Sequence, residues 1–424
     1  MNYMRKKDNI LRKITEFYLS SRDFNGLPIE NLVHDFKLQE SELKNILISL
    51  IQEDKISLNF GDIHPNPHIK ALPEEPAEKQ IAKLQKANLK NICAYPSGPH
   101  LALEVDPLEY EDRPFTRRLA LGEPQLLYES FDLSVLEFYR NDPRYYYTNN
   151  DISGSISISN EYFESEEMPP SDQVLLQTFG FSYDSKLNRA VAVFLRYLSD
   201  LSPQHQQLWN AKIVQGNYKL HPDYFRSCIL GDWPECVSIF DAFIEELHHV
   251  NEMCKLMNRP PLFKNELKDK PRGFCFLIRP TLKEYNDFVH LLDKAISENI
   301  NKGFFLNDVQ FEYDETRNDG KVVARKKGTI QILDEWLRLK FTTQDRKPIE
   351  EMIDTFKEIR QLRQRPAHMI YDDVFDQKYF KQQRELIKKA YSGVRLIRLI
   401  FEKHPNVKGY KIPDYIKQGK IWTY

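Results

Sequence analysis

The sequence predicts a mainly α-helical protein with small β elements, an α+β chain of several domains. Three observations predict it. The chain has 424 residues, beyond the roughly 100–200 that one domain usually takes. Of these 41% are hydrophobic, with 26 Phe and 22 Tyr among them; that much apolar surface offsets ordering entropy and excludes a disordered polar polymer. Apolar residues recur at helical spacing near both ends of the chain, whereas strict alternation is confined to short stretches.

Residues 1–62 predict a compact, winged-helix-like unit. Ile10, Leu11, Ile14, Phe17 and Tyr18 mark a first helix, and Leu27 to Val33 follows the Asn25-Gly26 break. Leu43, Ile46, Leu47 and Leu50 stripe a third helix between Glu40 and Asp54. A β-like run from Ile56 to Phe60 ends at Gly61. Three helices and a strand resemble a winged helix-turn-helix, whose third helix reads DNA. Here that helix carries Glu40, Glu42, Glu53 and Asp54 against Lys44, a balance that repels phosphate. A protein-docking or structural role is therefore expected ahead of DNA binding.

Residues 63–94 predict a linker and a charged helix. Pro65, Pro67, Pro73 and Pro76 oppose regular structure, and Ala77 to Asn91 then reads as helical. A second break is expected at Tyr95-Pro-Ser-Gly-Pro99. Residues 95–272 predict a middle α+β domain that resembles no family. Leu101 to Val105 reads as a strand, Leu133–Tyr139 as the start of a helix, and the alternating Asp151–Ser159 as a strand with one wet face. Ala190–Leu201 and Ser238–Met257 read as helices. Arg144 beside Tyr145, Tyr146 and Tyr147 offers base stacking, although such triplets usually build strands or cores.

Residues 273–424 predict a four-helix bundle with an inserted hairpin. Thr281 to Ile300 presents a broad apolar face, Asp319-Gly320 signals a hairpin between Val309–Tyr313 and Val322–Arg325, and Ile330–Leu339 forms a short helix. Pro348 suits the first turn of the next helix, which Ile349, Met352, Ile353, Phe356, Ile359 and Leu362 continue. A long helix runs from Gln377 to about Phe401, and residues 410–424 form a strap anchored by Ile412, Tyr415, Ile421 and Trp422.

Charge and cysteine usage narrow the function classes. Lys and Arg number 60 against 62 Asp and Glu. The balance is uneven: residues 273–424 hold 29 basic and 22 acidic residues, a net of +7, which leaves the rest at −9. A basic third suits nucleic acid, or simply the charged face of a bundle. Cys93, Cys228, Cys236, Cys254 and Cys275 form no CxxC pair, so buried thiols are expected rather than disulfides. Cys228 and Cys236 with His248 and His249 match no zinc spacing, and neither metal nor cofactor is expected. Apolar runs fall far short of a bilayer span and the start of the chain is charged, so a cytoplasmic protein without membrane contact is expected. Phosphate loops, dinucleotide turns, HExxH helices and GxSxG elbows are missing from the sequence.

The junction before the last long helix reads Arg360-Gln-Leu-Arg363-Gln364-Arg365-Pro-Ala-His368. It resembles the signature of the HEPN superfamily, whose nucleases carry Arg, a polar residue and then His, with four to six residues between Arg and His. Arg363 and His368 are separated by four, Gln364 is the polar residue, and an amphipathic helix flanks the motif on each side. The resemblance covers about residues 275–404. Gln stands where Asn is commoner, and Tyr371 lies three residues past His368 rather than two. Arg398 and His404, with five residues between them, also fall within that window, but apolar Leu399 follows that Arg.

The resemblance implies a metal-independent endoribonuclease, a toxin or anti-phage defence effector. His368 would accept the proton of a ribose 2′-hydroxyl, and Arg363 would stabilise the charge growing on the phosphate. Arg360 and Arg365 would extend the phosphate cradle and Gln364 would orient the histidine. RNA is the implied substrate, a homodimer through residues 275–404 the implied assembly, and a regulatory or sensor protein a further partner. The residues taken alone also allow Arg363 to pair with Glu358 or Asp372 while His368 caps a helix. The alternatives are a winged-helix DNA-binding regulator and a non-catalytic HEPN-like scaffold.

Overall fold

The computed structural model describes residues 3–165, 168–267, 270–317, 319–364 and 372–423. It is about 49% helix and 15% strand, a mixed α+β architecture with no closed barrel among the described residues. No helix among them is long and apolar enough to cross a membrane. By contact the chain divides into two units, one formed by residues 1–148 with 152–234, the other by 149–151 with 235–424.

The first unit opens with helix α1 (Tyr3–Ser20), strand β1 (Leu27–Pro28), helices α2 (Ile29–Phe36) and α3 (Glu40–Gln52), strand β2 (Ile56–Asn59), helix α4 (Ala77–Lys86) and strand β3 (Cys93–Pro96). The three strands form a sheet in the order β1-β3-β2, with β3 antiparallel to both neighbours. Tyr95 and Pro96, expected as a break, thus belong to the central strand. Pro96 sits at its end, opposite Ile56, where a missing N–H costs least, and all four residues of β3 are buried. Gly26 is required beneath this strand, since a Cβ there would lie 2.4 Å from the Tyr95 ring.

Helix α3 turns its carboxylates to lysines of α1: Lys6 Nζ lies 2.6 Å from Glu42 and Lys7 Nζ 2.6 Å from Glu53. Leu84 of α4 joins the core of α1–α3, with Ile48 and Ile81 packed against it. Lys44 Nζ donates to the Ala87 carbonyl at 2.7 Å, just past the end of α4.

The same unit holds a second sheet built from β4 (Tyr128–Phe131), β5 (Tyr145–Asn149), β6 (Ser153–Ile158), β7 (Leu175–Tyr183) and β8 (Arg189–Phe194), in the order β4-β8-β7-β6-β5, with β9 (Lys219–Leu220) paired to β7. Two expectations are corrected here. Leu101 to Val105 is not a strand, because Ser97 Oγ accepts the His100 N–H and Pro99 fits the first turn of a helix over Gly98–Glu104. Ala190 to Phe194 is strand rather than helix. Lying between β4 and β7, it is buried on both faces, and such a run has no period that distinguishes it from a helix. In β5, Tyr145 and Tyr147 are buried and only Tyr146 is exposed. Arg144 is held by Asp142 at 2.6 Å and Asp172 at 2.7 Å. The tyrosine triplet is therefore fold material.

The second unit comprises β10 (Val237–Ser238), α5 (Ile239–Leu256), α6 (Leu282–Ala295), the hairpin β11 (Glu312–Thr316) and β12 (Val322–Lys326), α7 (Thr329–Lys340), α8 (Lys347–Gln364), α9 (Lys378–Phe401) and β13 (Ile421–Trp422). Helix α9 packs between α5 and α8, and α8 packs on α6. The unit thus takes in α5, which the sequence groups with residues 95–272. Strands β11 and β12 pair antiparallel, Glu312 opposite Lys326, and Gly320 turns with φ of +80°. Near the end of the chain β13 runs parallel to β10, Ile416 and Trp422 are buried, Ile412 and Ile421 are half-buried, and Tyr415 Oη donates to Glu245 at 2.7 Å.

One ion pair joins α5 to α9. Arg398, 3% exposed, donates through two nitrogens to Glu246, which is 0% exposed, and reaches Glu402 at 2.6 Å. Burial pushes the Glu246 carboxyl up against the opposing pull of Arg398. Arg398→Ala strands this carboxylate and should cost about 3–5 kcal/mol of stability, whereas Arg398→Met with Glu246→Leu should recover most of it. Urea unfolding of the full chain checks this; equal midpoints for wild type and Arg398→Ala would refute it.

Candidate functional site

Arg360 and Arg363 stand three residues apart in the last turns of α8, so both side chains project to one side of the helix. That side faces α6. Asp293 of α6, 0% exposed, and Glu298, just beyond the end of that helix and 36% exposed, receive both guanidinium groups. Arg360 Nη1 donates to Asp293 Oδ2 at 2.7 Å and to Glu298 Oε1 at 3.3 Å. Arg363 Nη1 lies 3.3 Å from Asp293 Oδ2 and 2.5 Å from Glu298 Oε1. The Ser297 hydroxyl donates to the other oxygen of Asp293. A carboxylate so far from water needs these partners, because unpaired burial costs several kcal/mol. Burial works against the charge on Arg360, and the hydrogen bonds and charges of Asp293 and then Glu298 outweigh it, so its pKa lies above the ordinary arginine value.

His290 completes the cluster. Arg363 Nε donates to His290 Nδ1 at 3.2 Å. His290 Nδ1 is thus the acceptor, and the imidazole ring flanks the guanidinium group.

The structure brings Arg360 and Arg363 together and leaves Gln364 exposed at the end of α8. Arg365 and His368 lie outside the described residues. Beyond them, residues 372–376 run along the start of α6: Leu282 N donates to Val374 O at 2.8 Å, Lys283 N to Asp373 Oδ1 at 2.8 Å, and Asp376 N to Pro280 O at 2.9 Å. Arg363 and Asp373 are thus tied to opposite ends of one helix. Asp376 accepts the Lys378 N–H at 2.9 Å, at the start of α9. These acidic residues cap helices, as their position in the sequence suggests.

Neither carboxylate offered by the sequence as a partner for Arg363 is among its ion pairs. Glu358 pairs with Lys389 at 3.0 Å, and the partners of Arg363 come from 65 to 73 residues earlier. The sequence held one sign of them: Asp293 lies within the apolar stripe of α6, beside buried Val289, Leu292 and Ala295. The second Arg–His match leads to no second cluster. Arg398 belongs to the buried pair with Glu246, and half-buried His404 accepts the Asn406 N–H at 3.3 Å.

This unit holds two further features. Arg360 also lines an open cleft of about 580 Å³ with Lys264, Glu298, Lys302, Lys327 and Thr329. Elsewhere in this unit His248, Glu252 and Glu266 bring ligand atoms within 4.8 Å of one another. Lys255 Nζ lies 2.5 Å from Glu252 and 3.9 Å from Glu266, so an ammonium already offsets part of their charge.

No family model, curated protein or solved structure matches this chain.

Arg360→Ala or Arg363→Ala alone leaves Asp293 one guanidinium, and the double change leaves none. The double variant should therefore lose more stability than the two single variants together, by about 0.5–3 kcal/mol, as contacting residues do. Urea midpoints for the three variants decide it, and strict additivity would show that the arginines do not share Asp293.

Proposed function

We propose that the chain is a HEPN-type endoribonuclease that cleaves RNA without a metal, a toxin or anti-phage defence effector whose second unit carries the HEPN-like bundle. The observation that supports it is the pair Arg360 and Arg363, held side by side on shared carboxylates, with His290 on Arg363, at the mouth of the segment that bears Arg365 and His368. Two planar guanidinium groups 27% and 37% exposed are suited to the oxygens of a phosphodiester.

In the proposed reaction His368 takes the proton of a ribose 2′-hydroxyl, and the 2′-oxygen attacks the adjacent phosphorus. The bond to the 5′-oxygen breaks, that oxygen takes up a proton, and a 2′,3′-cyclic phosphate remains. Arg363 stabilises the added negative charge on the phosphoryl oxygens, and Arg360 and Arg365 hold neighbouring phosphates. Two copies meeting through residues 275–404 would pool two such clusters in one cleft.

Residues 3–96 support a winged-helix-like reading through their element order and the sheet order β1-β3-β2. Glu42 of helix α3 and Glu53 just past its end are paired with lysines of α1, and α4 packs against α3, so docking or regulation suits this region better than DNA reading.

Purified protein incubated with total RNA in EDTA should cleave it. His368→Ala and Arg363→Ala should each lower cleavage by roughly 10²-fold or more, while His404→Ala leaves it unchanged. Melting temperature is measured beside activity; a His368→Ala protein that melts early yet keeps its specific activity would sink the assignment. Light scattering of the full chain at micromolar concentration should give a dimer, and a strict monomer would count against the shared cleft. The same protein should bind duplex DNA only weakly at physiological salt, and a nanomolar, sequence-selective complex would favour the DNA-binding regulator instead.

A further inference from the structure

We infer that the cleft beside Arg360 is the channel that carries the backbone of single-stranded RNA to Arg360 and Arg363. The inference rests on the ribonuclease reading and names the path by which substrate enters.

The charge of the cleft points to phosphate. Lys264, Lys302, Lys327 and Arg360 line it, with Glu298 as the one acidic lining residue. Lys264 Nζ donates to the backbone carbonyl of Glu298 at 2.8 Å and Lys302 Nζ to that of Lys327 at 3.2 Å. Carbonyls position these ammonium groups without neutralising them, and each ammonium has three donors. Lys327 is paired with Glu335 at 2.6 Å. The cleft therefore keeps a net positive charge on a wall that runs through Arg360 into the Arg363 cluster, because both arginines bind Asp293 and Glu298.

Its shape points to a strand rather than a small anion. A volume of about 580 Å³ exceeds what one phosphate fills. Gly328, at the start of α7, leaves open space where a Cβ would sit. The hairpin rises from the same wall: Lys327 N donates to Phe311 O at 2.8 Å, and Lys302 Nζ lies 5.9 Å from the Phe311 ring centroid. On β11 the exposed Tyr313 stands opposite Arg325 of β12, which is paired with Glu315. Lysines along a groove with an exposed aromatic on the adjoining hairpin are the elements by which proteins hold single strands, phosphates on the cations and bases stacked on rings. An acidic peptide would use the lysines and leave Tyr313 without a role. Contacts to phosphate carry no base information, so binding should depend little on sequence.

The test measures binding apart from cleavage. Full-length His368→Ala protein is titrated into a fluorescein-labelled single-stranded RNA of mixed sequence, with anisotropy read at several salt concentrations. Adding Lys264→Gln and Lys302→Gln should raise Kd about tenfold or more and flatten the salt dependence of log Kd by about 1.4, the share of two single-strand phosphate contacts. Lys264→Arg with Lys302→Arg should bind like the parent, which separates charge from folding. An unchanged Kd and slope in the glutamine variant would overturn the channel, even if the wild type cleaves RNA and the nuclease stands. A wild type that cleaves nothing, yet binds RNA through these lysines, would remove the nuclease and keep the channel. Equal, lysine-dependent binding of poly-glutamate would also overturn it, since the cleft would then serve acidic protein.

Discussion

A carboxylate with no access to water dictates the arrangement of its neighbours. Asp293 lies on the buried stripe of α6, and its oxygens are met by Ser297 on one side and by Arg360 and Arg363 on the other. These contacts position the end of α8 against α6. An apolar residue at position 293 would pack at least as well as a buried ion pair, which is rarely the stabler choice. What the charge adds is geometry, because it holds two guanidinium groups at one place on the surface.

The same device recurs where other elements must meet. Arg398 and Glu246 tie α9 to α5. Asp308, near the base of the hairpin, takes Arg259 at 2.6 Å, Lys340 at 2.8 Å and Trp336 Nε1 at 3.0 Å. Burial alone would raise its pKa, and these three partners outweigh it, bringing it to about 2. With the folded pKa depressed, the stabilisation is present above the unfolded carboxyl value, near 3.9, and is lost as pH falls through about 2. The hairpin base is thus held throughout the physiological range. In the first unit the lysines of α1 and carboxylates of α3 play a milder part, being partly exposed and weaker for it.

How much of this could be read from residues alone follows the physics of each element. Helices α6, α8 and α9 each bury one stripe, and a stripe of period 3.6 is visible in sequence. The Asp319-Gly320 turn announces its hairpin, because Gly320 needs a positive φ. Strand β8, buried on both faces, carries no period, and β3 is concealed by a proline that its terminal position tolerates. The short helix at Gly98 lay in its cap, Ser97 with Pro99, rather than in the apolar pattern. At the candidate site the spacing of Arg360 and Arg363 was legible, since three residues bring side chains together on any helix. Their partners were not, because a contact across 62 to 73 residues leaves no local trace. The one hint, a charged residue among apolar neighbours on α6, marks a buried ion without naming its counterion.

That counterion arrangement bears on how the proposed nuclease would take up substrate. Both arginines are already occupied, so a phosphodiester must replace something. Asp293, wholly buried, cannot leave without stranding its charge. Glu298 sits at the rim, 36% exposed, and can swing back to water. A phosphodiester carries a single negative charge, as a carboxylate does, so exchanging one for the other leaves the charge of the cluster unchanged, and the released Glu298 regains its hydration. Asp293 then acts as the fixed anchor that orients the guanidinium groups, and Glu298 as the occupant that substrate displaces. Because Glu298 also borders the cleft, its departure would remove the one negative side chain from the cleft wall as the strand arrives.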